Sequence, residues 1–313
     1  MRELIPTNAK IDFMGKRFVC MFLSLLAFVA SIYSFVQRGE DKYGTDFLGG
    51  HEFLVSFKGD FDSEKIRAGL SAQNLEGVRV QAFQGTQNEY SIRLGEAGEA
   101  DAVRGKVEGA LKSAFGEVYT IEKTDYVGPT VGRELRTSAL WAVGLGLLGI
   151  LAYIAFRFEF AVGIGTIIAL FHDVVIATGI YLISGHIIGM ATLAGALTIV
   201  GYSVNDTVVV FDRVREQRNK RKGGKLVDIV NEALNFTLSR TVITHMLTFF
   251  SALALYVFAD GDIKDLSLYL CAGIVLGSYS TIFIVSSVVI MLEGGKSAEP
   301  VVKAPKAVKA SGA

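Results

Sequence analysis

Two cysteines and four histidines are few for 313 residues, and the formal charges cancel, 31 Lys and Arg against 31 Asp and Glu. Each scarcity excludes something. Cys20 and Cys271 both lie in long apolar runs, which points to buried thiols and away from a disulfide framework. The histidines form no second cluster at ligand spacing, so no metal site and no cofactor is expected. Charge is also missing from several stretches of about 20 residues, the length that crosses a hydrocarbon layer about 30 Å thick. That rules out the one or two soluble domains that length alone would suggest. With 51% hydrophobic residues and a mean hydropathy of +0.42, the chain reads as an integral membrane protein with one soluble insert.

Six spans are expected, at 18–36, 138–156, 160–183, 187–210, 236–258 and 266–292. The first follows Lys16 and Arg17, as a signal peptide would. Its run exceeds the roughly 7–15 residues of a signal core, and no convincing small-residue cleavage site follows, so it is read as a retained anchor. Basic residues collect in the N-terminal segment 1–17 (Arg2, Lys10, Lys16, Arg17), in the loop 211–235 (Arg213 to Lys225) and in the tail 293–313 (Lys296, Lys303, Lys306, Lys309), which is expected to be disordered. The connection after the fifth span, ADGDIKD, is acidic. An even number of spans then puts both termini in the cytoplasm and residues 37–137 outside. The same rule accounts for the basic loop without invoking nucleic acid.

Within 37–137, alternation and turn signals give strands at 51–57, 77–84, 89–95 and 117–127, and helices at 63–73 and 100–115, with Asp62 as N-cap of the first helix. Gly85 and Asn88 mark the turn between the middle strands. The order β-α-β-β-α-β is that of a ferredoxin-like domain. It contains no nucleophile–base pair and no carboxylate pair, so no enzyme is expected. GTDFLGG, with Asp46, Gly49 and Gly50, reads as a turn where the chain leaves the membrane; a phosphate cradle would need a helix N-terminus after it.

Ionisable residues inside spans are costly, about 2.5–3.5 kcal/mol each on insertion scales, and are functional candidates by default. Asp206 in span four shares a face with Ser203, Tyr202, Ile199, Thr198, Gly195 and Thr192. Arg240, near the start of span five, shares one with Thr237, Thr244, Thr248 and Ser251. Both lie near the intervening loop, at similar depth, so a carboxylate–guanidinium pair is expected. It would be either a structural salt bridge or a carboxylate whose proton affinity depends on the arginine. His172, Asp173 and Asn205 are relay members or interhelical polar contacts. His245 reads as a packing residue. Gly195, Gly273 and Gly277 lie in small-xxx-small patterns that let helices approach.

TDFLGG at 45–50, VGPTVGREL at 127–135, LFHDVVIATG at 170–179, IVGYSVNDTVVVFDRVRE at 199–216 and LSRT at 238–241 together resemble the SecD/SecF family of protein-export subunits, in the SecF half, over nearly the whole chain. The family belongs to the resistance-nodulation-division superfamily. The resemblance implies a bacterial inner-membrane subunit that acts with SecD and associates with the SecYEG channel, with YajC and YidC nearby. It further implies that the proton-motive force draws a translocating preprotein outward after the ATPase SecA has begun export, protons being the coupling ion. In the family, the carboxylate of the GYSxND stretch and the arginine of the next span couple to protons; the matching positions are Asp206 and Arg240. Leu48 stands where the family usually has threonine, which puts any hydroxyl role at that turn in doubt. The start of the chain, about 17 residues before span one, suggests a separate subunit. A proton-driven half-transporter of small molecules or lipids and a non-transporting scaffold of the translocon remain alternatives.

Overall fold

A bilayer offers backbone amides no partner, so a spanning segment has to satisfy them within its own helix. The computed structural model describes residues 10–59, 61–75, 77–82, 88–95, 100–221, 223–259 and 261–293. Among the described residues, six helices are long and apolar enough to cross a membrane. They are α1 (Arg17–Gln37), α5 (Pro129–Arg157), α6 (Phe160–Ile183), α7 (Met190–Lys220), α8 (Leu226–Phe258), and a last one made of α9 (Gly261–Ser280), a π-helical segment (Thr281–Val285) and α10 (Ser286–Glu293). The chain is thus a multi-pass membrane protein. Arg2, Gly85 and the basic tail lie outside the described residues.

Several helices overrun their apolar stretches. The basic segment 211–235, expected as a loop, is helical at 211–220 and again at 226–235. Lys220 Nζ reaches Glu216 Oε1 at 2.6 Å, one turn apart, and supports the end of α7. Leu226, Ile229, Val230, Ala233 and Leu234 recur at helical spacing and pack against Met14, Phe211, Val214 and Ile290. Amphipathic periodicity outweighs the polar residues between them. Asn231 and Asn235 hold the chain before α1: their Oδ1 atoms accept from Phe13 N and Ile11 N, both at 2.9 Å.

Between α1 and α5 stand α2 (Thr45–Leu48), β1 (Gly50–Phe57), α3 (Ser63–Ser71), β2 (Arg79–Ala82), β3 (Glu89–Leu94), α4 (Ala100–Phe115) and β4 (Tyr119–Val127). The sheet order is β2-β3-β1-β4 with every pairing antiparallel, which makes this the ferredoxin-like unit. Asp62 holds the N-cap position of α3 without a side-chain hydrogen bond. Alternation along β1 sends Phe53, Val55 and Phe57 into a core with Ile66, Leu70, Ile92, Val107 and Leu111, beneath α3 and α4. Glu52 and Leu54 point the other way. With Ser91, Gln81, Lys123 and Asp125 they form a polar sheet face that meets the outer ends of α6, α7 and α9 across a cavity of about 330 Å³.

Gly49 and Gly50 carry φ values of 73° and 114°, backbone that L side chains rarely adopt, and a Cβ on Gly50 would overlap the Leu94 carbonyl oxygen. The turn after α2 therefore needs both glycines. Leu48 is exposed beside it.

Candidate functional site: the buried carboxylates of the bundle

Asp206 is buried on α7, with Ser203, Ile199, Gly195 and Thr192 on the same inward face. Its Oδ1 accepts a hydrogen bond of 3.1 Å from Thr241 Oγ1 on α8. Its Oδ2, also buried, has no hydrogen-bond partner. His245, one turn beyond Thr241, is buried too; its Nδ1 lies 2.8 Å from the Thr241 carbonyl and its Nε2 is unpartnered. The basic groups flanking Thr241 on α8 are Arg240 and His245.

The ion pair expected between Asp206 and Arg240 is not formed. Arg240 is exposed and has no carboxylate within 4 Å among the described residues. One residue is about 100° of helix rotation. The inward face of α8 runs through Thr237, Thr241 and His245, and that turns Arg240, Thr244, Thr248 and Ser251 outward. Asn205 is likewise exposed: it lines a groove between α5 and α7 with Gly146, Gly149 and Tyr153, away from Asp206.

Asp173, on α6, is wholly buried and fully engaged. His172 Nδ1 lies 3.0 Å from its Oδ1, while Oδ2 accepts from Ser203 Oγ at 2.9 Å and Ser280 Oγ at 2.7 Å. One carboxylate therefore joins α6, α7 and α9. One turn along α7, the hydroxyls of Thr207 and Thr281 lie 3.1 Å apart, with Thr281 at the head of the π-helical segment. Ser203 was expected only as a neighbour of Asp206 on its face, and Ser280, Thr281 and Thr241 were not expected at all; for Ser280 and Thr281 the hydroxyl-rich run SYSTIFIVSS was the available signal.

Asp46 acts at the other end of α7. Its Oδ2 accepts 2.8 Å from the Met190 amide, at the first residue of the helix. Close by, Gly44 N–H donates to the Ile188 carbonyl at 2.9 Å, and Ile188 N–H to the Lys42 carbonyl at 2.7 Å. Gly132 of α5 sits against Gly49, where an added Cβ would lie 3.2 Å from the amide nitrogen. On the sheet, Glu52 accepts from Thr45 Oγ1 at 3.0 Å and from Ser91 Oγ at 2.6 Å. Arg93 donates to the Tyr43 carbonyl at 2.7 Å, and burial holds its guanidinium below its usual range, with Glu52 opposing. Asp46→Ala is expected to cost about 0.5–2 kcal/mol, the loss of a helix cap. Amide exchange at Met190 should speed up while exchange at the centre of α7 stays slow, and Asp46→Asn, which keeps an acceptor, should restore protection.

The glycines expected at helix contacts differ in how closely they are approached. A Cβ on Gly273 would overlap the Ile199 side chain, one on Gly195 would lie 2.9 Å from Tyr269 Cδ1, and one on Gly277 would make an ordinary 3.4 Å contact with Ser203 Cβ.

Residues 106–295 match the family model described as protein export membrane protein SecD/SecF, C-terminal. The protein translocase subunit SecF of Calditerrivibrio nitroreducens is 35% identical over 298 residues, 93% of this chain and 97% of the relative. The chain belongs to the SecD/SecF family. A second member, the protein translocase subunit SecDF of Brucella abortus, is 36% identical over 92% of this chain, which matches 38% of that longer protein. Among solved SecD/SecF structures, SecDF from Thermus thermophilus, a translocon-associated membrane protein, superposes with a TM-score of 0.80 at 32% identity over 92% of this chain and 39% of its own. A SecDF structure in a super-membrane-facing form gives 0.65 at 33% identity. The role of this family member is protein export.

Proposed function

We propose that this chain is the SecF-type subunit of a bacterial export machinery, working with SecD to pull a preprotein across the inner membrane at the expense of the proton-motive force. The observation that carries the reading is Asp206: a carboxylate buried in the bundle, with one neutral hydrogen bond, one unpartnered oxygen and no ion pair among the described residues. Such a group can take up a proton and give it back without breaking an ion pair. Proton binding and release would thus alter how α7 packs on α8, and Asp46 ties the head of α7 to the external domain. One charge moved through 100 mV supplies about 2.3 kcal/mol, so several protons per cycle suffice to move a domain. No covalent chemistry on the preprotein is needed, and no cofactor beyond protons.

The exposed stripe of Arg240, Thr244, Thr248 and Ser251 is where this reading places the SecD bundle. A guanidinium facing lipid would be expensive, and a protein partner relieves that. In this orientation both termini are cytoplasmic and residues 37–137 periplasmic. SecYEG is the channel served, with YajC and YidC as further neighbours.

The test is completion of preprotein export in sealed vesicles holding the protein, SecD and the translocon, with and without an imposed proton gradient. Asp206→Asn is expected to abolish the gradient-dependent part at equal assembled protein. Full gradient dependence in that variant would leave Asp206 a structural residue and the subunit a scaffold.

A further inference from the structure

Taking Asp206 as the proton-carrying carboxylate, we propose that His245 shares its proton, so that the Asp206–His245 pair is the unit that loads and unloads. Both side chains are more than nine-tenths buried, at 5% and 8% exposure. Both belong to Thr241, whose hydroxyl donates to Asp206 Oδ1 and whose carbonyl lies against His245 Nδ1. The second contact sets the tautomer. With the Nδ1 proton donated to the carbonyl, a neutral imidazole keeps its lone pair on Nε2. That atom and Asp206 Oδ2 are the two atoms of the cluster left without partners. The Tyr202 ring closes edge-on over His245, with centroids 4.9 Å apart, and its hydroxyl lies 3.2 Å from both the Thr244 carbonyl and Thr248 Oγ1.

The proton count is simple. Carboxylate plus neutral imidazole carries one negative charge; one added proton, on Nε2 or on Oδ2, makes the pair neutral, and its release restores the charge. No other atom changes. Two bases holding one proton bind it more tightly than either alone, so the histidine extends the pH range over which the site is loaded. The other titratable or charged groups on the elements packed against the pair are Tyr202 on α7, whose ring lies against His245, Arg240 on α8, which faces outward, His172 and Asp173 on α6, engaged with each other, and Cys271 and Tyr279 on α9, the latter turned to Ser24 and Cys20 of α1. None of them stands between Asp206 and His245 through Thr241 as the two stand to each other.

The experiment is the external-pH profile of gradient-driven export in the same vesicles, for wild type, His245→Asn and Asp206→Asn. His245→Asn keeps a donor for the Thr241 carbonyl and loses the titrating nitrogen. The alkaline limb of its profile is expected to move to lower pH by roughly one unit, a tenfold change in proton activity. Asp206→Asn is expected to remove gradient dependence at every pH. If Asp206→Asn does so and the His245→Asn profile superimposes on wild type, the shared proton is overturned and the carboxylate stands alone. If Asp206→Asn leaves gradient dependence intact, the reading beneath both fails. A second measurement needs no histidine variant. In protein labelled with nitrogen-15 at histidine and assembled in lipid, His245 should titrate, and Asp206→Asn should shift that titration. An unmoved His245 signal overturns the proposal even if His245→Asn does not fold.

Discussion

Gly273→Leu is expected to leave almost no assembled protein, whereas Gly277→Ala, one turn along the same helix, should melt within a few degrees of wild type. The contrast comes from what each glycine faces. A Cβ at Gly273 would overlap Ile199, which is itself buried in a cluster with Ala177, Tyr181 and Tyr269. Overpacking of this kind costs about 1–3 kcal/mol for a single added carbon group, and more for a branched side chain. Gly273→Ala should therefore lose about that much, less up to ~1 kcal/mol regained from helix propensity. At Gly277 the same methyl group makes only a van der Waals contact with Ser203. Gly195→Ala should fall between them, since Tyr269 is held by the Thr178 hydroxyl 2.9 Å from its own. Thermal melting of the purified variants in detergent gives the ranking. Equal losses at Gly273 and Gly277 would mean that the α7–α9 approach is set elsewhere.

Asp173→Ala should be the most damaging change of a charged residue to stability, by roughly 1–3 kcal/mol for two interhelical bonds worth about 0.6–1.7 each. The carboxylate is the acceptor for Ser203 and Ser280, both buried, and steadies His172. Its removal strands two hydroxyls from two helices at once, and a buried donor without an acceptor costs more than a surface one. Asp173→Asn should lose less, because the amide oxygen still accepts. The same variants separate a strut from a proton carrier. A strut lowers the melting temperature and the yield, with normal gradient-driven export for each molecule assembled. A carrier does the reverse, and normal melting with lost gradient dependence would remove the structural reading.

The spans were legible because charge-free runs of that length have few alternatives. The sheet was legible because alternation survives in β1, where Phe53, Val55 and Phe57 separate from Glu52 and Leu54. The inward face of α8 was not. Thr237–Thr241–His245 and Arg240–Thr244–Thr248 are both polar stripes at helical spacing, about 100° apart. Periodicity says which residues share a face and leaves open which face turns inward. Arg240 drew attention by its charge, while Thr241, uncharged, makes the contact. Asn205 illustrates the same ambiguity on α7, next to Asp206 in sequence and about 100° away around the helix, on the groove facing α5. The role of Asp46 was out of reach for another reason. Its partner amide is 144 residues away in the chain, and nothing local to TDFLGG announces it.

That contact has a mechanical meaning. The sheet is continuous with the bundle through two peptide connections, one on each side, and it is also latched to the head of α7 by Asp46 and by the Lys42–Ile188–Gly44 bridge. Any rotation of the sheet over the bundle must therefore unhook the latch or haul α7 along as a rod. From Met190 to Asp206 that rod is about 24 Å long at 1.5 Å per residue. If the latch holds, travel at the outer end appears at the carboxylate undamped; if it slips, the two ends are out of gear.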